Sequence, residues 1–214
     1  MVSVTAMPRS VLSVNVADIR EVSHRGIRVK TGIWKLPVEG PLAVRGVNVE
    51  GDDQADRAVH GGVHKAVYAY AREDTDWWEA ELGETLPNGA FGENLTLRGV
   101  DVTGALIGER WRIGSVLLEV SEPRFPCWKL GVRFGDPKML KRFAAARRPG
   151  AYLRIAEEGV LEAGDTVEVL SRPGHGLTIA GFAHAYLEDR EELPALLIPE
   201  VAESWGEWVR ERAA

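Results

Sequence analysis

Cysteine is nearly missing from this chain, with one residue, Cys127, in 214. A lone thiol cannot close a disulfide within the chain, which excludes a stapled secreted scaffold and fits a reducing compartment. Long apolar runs are also missing. No stretch approaches the roughly 18 residues that mark a membrane span, and the N-terminus lacks a secretory pattern. A soluble cytoplasmic protein is expected. Positive charge is not in excess. Lysine and arginine number 26 against 32 aspartates and glutamates, a net charge of −6. That argues against a general nucleic-acid binder, although a local basic pocket can sit on an acidic protein. Several catalytic signatures are absent too: no GxSxG, no GxGxxG, no Walker loop and no HExxH.

The chain is long enough for one large domain, or one domain with an appendage, burying roughly 70% of its unfolded surface. Ser10 to Asp18 alternates imperfectly and predicts a strand, and glycine-punctuated, valine-rich runs to residue 50 predict further short strands. Val67, Tyr68 and Tyr70 suggest a strand or buried segment, and Glu73 to Leu82 a helix ending at Gly83. Arg110 to Val120 predicts a hairpin around Gly114-Ser115. Asp136 to Arg147 predicts a helix with Asp136 as N-cap and Pro137 in the first turn. After the Pro/Gly segment Arg172 to Gly176, helices are expected over Thr178 to Asp189 and Glu200 to Arg212, with a third over Glu191 to Leu197. The architecture predicted is mostly β, a β-rich body over residues 1–170 with a few helices, then a small helical extension over 171–214.

Three stretches carry chemistry. In EPRFPCWKL, Pro123 and Pro126 stiffen the approach to Cys127, and Arg124 and Lys129 place two cations near the sulfur. Nearby positive charge favours thiolate over thiol. A fall from about 8.5 to about 7 raises the thiolate from a few per cent to about half at neutral pH. Such a sulfur suits a nucleophile, a persulfide carrier or a soft metal ligand. The competing reading is a small buried hydrophobe. In the polar segment before residue 66, Gly61 and Gly62 allow backbone N–H groups to approach an anion, with Arg57, His60 and Lys65 adding charge. A zinc pair at His60 and His64 is weaker, because two intervening glycines disfavour the helix it needs. A solvated turn is the plain alternative. Asp52, Gln54 and Asp56 alternate, and with Glu93-Asn94 after Gly92 they offer acceptors and donors for an aminopterin-like ring. Turn and capping chemistry explains the same residues. A thiol-protease-like triad of Cys127 with His60 or His64 depends on geometry that spacing does not give.

Taken in order, GDDQADRAVHGGVHKAVYAY, GAFGENLTL and SEPRFPCWKL resemble the MOSC domain, named for the C-terminal domain of molybdenum cofactor sulfurases. The tail containing LPALLIPEVAESWGEW is similar to the three-helix extension of the stand-alone bacterial branch, associated with resistance to 6-N-hydroxylaminopurine. The resemblance implies a β-barrel-like fold, binding of the molybdenum cofactor (molybdopterin), and a key cysteine that falls on Cys127. In relatives that reduce N-hydroxylated compounds this cysteine ligates molybdenum; in the sulfurase branch the domain is proposed to carry sulfur. The glycine segment with Arg57, His60 and Lys65 would then take the pterin's phosphate. Arg124 and Lys129 would balance the anionic cofactor. With no flavin or iron–sulfur domain in view, reduction would need an external electron-transfer protein. A small N-hydroxylated substrate is expected, with no stable nucleic-acid or membrane partner and a homodimer left open. A cofactor or sulfur carrier using a Cys127 persulfide is the alternative, and an interaction module with a merely buried cysteine the third.

Overall fold

The computed structural model describes residues 8–53 and 61–213. The first half of the chain forms β1 (Ser10–Val16), β2 (Arg20–His24), β3 (Ile27–Thr31), β4 (Leu36–Val38), β5 (Leu42–Arg45), β6 (Asn48–Val49), β7 (Val67–Ala71), α1 (Arg72–Leu82) and β8 (Leu95–Arg98). The second half adds β9 (Arg110–Ile113), β10 (Val116–Pro123), α2 (Trp128–Phe134), α3 (Met139–Ala146), β11 (Ala151–Glu157), β12 (Gly159–Leu161), β13 (Val167–Ser171), α4 (Ile179–Leu187) and α5 (Glu203–Ala213). Short 3-10 segments lie at Val63–Lys65 and Arg190–Leu196. Pro194 lies inside the second, where the sequence predicts an ordinary helix.

Eight strands make the main sheet, in the order β13-β9-β10-β11-β7-β8-β1-β4. Among the described residues only β7 and β8 pair in parallel, and the connection such a pair needs is supplied by α1. The imperfect alternation of β1 is a bulge: its register on β8 shifts between Val11 and Ser13. The expected barrel is not closed. The outer edge of β1 is divided, its second half pairing with β4. Its first residues alone meet the start of β13, through the Ser10–Thr166 bridge. The result is a mostly-β fold with an open sheet.

Two cores hold it. The larger contains Trp111, Ile113, Leu118, Val120 and Leu97. The same cluster includes Phe182, Leu196, Val201 and Val209 from the helical tail. The smaller is aromatic, with Tyr70, Trp78, Phe91 and Phe143 beside Leu130 and Met139. It lies under α1, α2 and α3 and fixes their positions.

The hairpin at Gly114-Ser115 and the α1 helix appear where the sequence puts them, with Gly83 left-handed and its N–H on the Glu79 carbonyl. The Asp136 cap does not. Its Oδ1 accepts the Lys138 N–H at 2.8 Å, and α3 starts only at Met139. Since α2 ends just before, residues 136–138 form the turn between two helices. Thr178 does cap α4, its hydroxyl accepting the Gly181 N–H at 2.9 Å. Thr178→Ala should cost about 1 kcal/mol of unfolding free energy in urea. The denaturant slope should stay unchanged.

Candidate active site

Strand β10 ends at Pro123, and the chain passes through Arg124, Phe125 and Pro126, outside any helix or strand, to Cys127. Cys127 itself is extended (φ −131°, ψ 167°), and α2 begins at the next residue. Leu130 of α2 is fully buried in the aromatic core, which pins the helix and leaves the cysteine half-buried at its start. Two prolines and no acidic first turn disguise this helix in the sequence.

Cys127 opens on a cavity of about 80 Å³, room for several waters. Arg124, Lys129 and Lys35 give its walls three cations; Asp53, Asn94 and Gly92 join them. The Arg124 guanidinium lies 6.0 Å from the Tyr68 ring centroid, and the Lys129 ammonium 6.0 Å from that of Trp128. Both distances suit cation–π contact. His24 stacks on Trp128 at 4.5 Å, resting the β2–β3 hairpin against the cysteine's helix. Tyr68 and Tyr152 lie opposite each other on β7 and β11 and both face the cavity. Burial pushes the Tyr152 phenol up to about 12, with the Arg124 cation pulling the other way.

A strap, Thr31 to Lys35, closes one side, and bare backbone holds it in place. A Cβ on Gly32 would lie 2.4 Å from the Asp53 carbonyl oxygen, and one on Gly89 would lie 2.5 Å from that of Lys35. Behind the strap is a buried polar network. Lys35 pairs with Asp52, whose carboxylate also accepts the Ala17 N–H at 3.0 Å and the Asn94 amide at 2.9 Å. Burial lowers the Lys35 pKa, and Asp52 opposes that shift. Asn94 Oδ1 in turn accepts the Tyr68 N–H at 3.1 Å. Glu93 accepts from the Gly89 N–H at 2.7 Å, the Phe91 N–H at 3.0 Å and the Thr96 hydroxyl at 2.9 Å. Burial drives its carboxyl upward while these bonds draw it down.

So the expected site residues divide. Cys127, Arg124, Lys129, Gly92 and Asn94 share one cavity. Asp52 and Glu93 do not line it; their carboxylates are engaged inside the fold, and the capping alternative is what the geometry favours. Gly61, Gly62 and Lys65 line a different depression, beside Trp205 and Trp208, with Lys65 3.3 Å from Glu122. Gln54, Asp56, Arg57 and His60 lie outside the described residues. Lys35, Asp53, Tyr68 and Tyr152 were missed as site residues. The one signal of the two tyrosines, a polar atom inside a strand-like run, is shared by many ordinary core positions.

Among the described residues, Cys127 belongs to no trio of His, Cys, Asp or Glu able to hold a metal; His184, Asp189 and Glu192 form such a group elsewhere. No helix of the described residues is long and apolar enough to cross a membrane.

Comparison with known proteins follows the same lines. The MOSC domain matches residues 56–168. The uncharacterised protein YflK of Bacillus subtilis is 36% identical over 200 residues, covering 92% of this chain and 90% of that protein. A Gibberella moniliformis protein named Reductase is 35% identical over 173 residues, which span 79% of this chain and 30% of that protein. The crystal structure of YiiM from Geobacillus stearothermophilus superimposes with a TM-score of 0.80 at 31% identity, covering 97% of this chain and all of that one. With a cysteine-centred cavity on an open, mostly-β sheet and relatives matched over nearly its whole length, the chain belongs to the MOSC domain family.

Proposed function

We propose that this protein binds the molybdenum cofactor at the Cys127 cavity and reduces N-hydroxylated bases or related N-oxygenated compounds. The observation that carries this reading is the donor set. One accessible soft sulfur lies on a cavity wall with Arg124 and Lys129, which suits an anionic group with a thiophilic metal. Among the described residues, Cys127 is not part of a cluster of further protein ligands. That fits a metal whose other donors come from an organic cofactor. When bound, the cofactor supplies the two-electron redox chemistry, and the protein supplies binding, orientation and electrostatics. Cys127 offers the sulfur, Arg124 and Lys129 balance negative charge, and the strap with Tyr68 and Tyr152 narrows access. Each turnover converts an N–OH group, two electrons and two protons to N–H and water. The electrons come from an external donor protein. The relative named Reductase supports the direction of the chemistry.

Protein purified from a host that makes the cofactor should contain molybdenum and pterin in equal amounts, by mass spectrometry and by fluorescence of the oxidised pterin. Purified protein with neither, even after incubation with released cofactor, would overturn the reading. One added sulfur on Cys127 without molybdenum would instead favour a carrier.

A further inference from the structure

A second cavity, of about 270 Å³, lies between α3 and α4. Phe143 and Ala144 face it from α3, and Ala180, Gly181, Ala183 and Leu187 from α4. The small residues on α4 leave room that packed interiors do not normally keep. Arg124 forms a wall common to this cavity and the cysteine cavity. It is 6% exposed, and its guanidinium lies 5.1 Å from the ring centroid of Phe143. Its Nη1 is buried and has no hydrogen-bond partner among the described residues. A guanidinium keeps its charge in proteins and only donates, and this nitrogen, closed to solvent as it stands, needs a turn of the Arg124 side chain to meet an acceptor in the cavity.

The other full charges on the lining are paired, one of them with a residue outside it. Arg147 pairs with Glu188, and Arg148 with Asp74. His184 Nδ1 is also buried without a hydrogen bond, 3.4 Å from Glu188 Oε2. That leaves one cation, Arg124, facing an otherwise apolar chamber. We propose that the α3–α4 cavity binds a small organic acid, a single carboxylate on an aryl or short alkyl body, with the carboxylate on Arg124. One net positive charge matches a singly charged acid. A phosphate would want more cations or converging backbone N–H groups. Arg–carboxylate pairing supplies orientation as well as attraction. The site shares Arg124 with the cysteine cavity, but acid binding itself requires no cofactor.

The test uses the full chain, cofactor-free and isotope-labelled, titrated with benzoate and separately with benzyl alcohol while amide shifts are followed by NMR. Benzoate should saturate, perturb α3 and α4, and bind at least tenfold tighter than the alcohol. Ala183→Leu should weaken benzoate at least tenfold by filling the chamber. Ala144→Leu does the same from the opposite helix and serves if the first variant fails to fold. Arg124→Gln should bring benzoate down to the level of the alcohol. Equal affinity for the two probes, shifts confined to the cysteine cavity, or full benzoate binding in the folded filling variant would each overturn the proposal.

Discussion

Cys127→Ser is expected to abolish reduction of an N-hydroxylated base while leaving the fold intact. The loss should reach at least about 100-fold, the upper end of what even a supporting residue costs a metal site. The substitution exchanges a soft sulfur donor for a hard hydroxyl that stays protonated. It is benign for folding for a local reason. Cys127 occupies the N-cap position of α2 with extended φ and ψ, and its side chain makes no capping bond. Serine is among the best residues at such a position, where its hydroxyl can accept a free N–H of the first turn. Steady-state reduction with a supplied electron donor, beside a thermal melt, checks both halves. Full activity in cofactor-loaded Cys127→Ser protein would sink the ligation role.

Lys35→Met should destabilise the protein by about 3–5 kcal/mol, the usual consequence of breaking one side of a buried ion pair. The side chains of Lys35 and Asp52 are 6% and 0% exposed. Removing the ammonium leaves the Asp52 carboxylate buried with two neutral donors, the Ala17 N–H and the Asn94 amide. Domains of ordinary stability hold about 5–15 kcal/mol in total, so the loss would be a large fraction of it. Chemical denaturation should show a lower midpoint. Adding Asp52→Asn should recover part of the loss, since asparagine keeps an acceptor for Ala17 without the stranded charge. A Lys35→Met midpoint equal to wild type would show that the pair contributes nothing.

Features set by neighbours in sequence were legible. The hairpin at Gly114-Ser115, the Gly83 cap and the Thr178 cap each depend on a few adjacent residues. Features set by distant pairing were not. The parallel β7–β8 pair and the divided edge of β1 arise from partners far apart in the chain, and no local pattern announces them. The site divides in the same way. Cys127 with Arg124 and Lys129 was legible because the three are adjacent and chemically unusual. Tyr68 and Tyr152 meet only because β7 pairs with β11. Glu93 was ambiguous in principle: a carboxylate that can hold a ligand can equally hold the backbone N–H groups of its own loop, and here it holds those of Gly89 and Phe91.

The strap across the cysteine cavity bears on how this sequence can drift. Neither Gly32 nor Gly89 is charged or chemically reactive, yet the Asp53 and Lys35 carbonyl oxygens leave no space for even one methyl group at either position. A larger residue at Gly32 would force the strap and Asp53 apart, and one at Gly89 would displace the strap at Lys35. Mutational tolerance here is therefore governed by two carbonyl oxygens as much as by the thiol. Losses of function can accumulate at residues with no reactive atom, whereas many exposed charges on the β2–β3 hairpin are free to change.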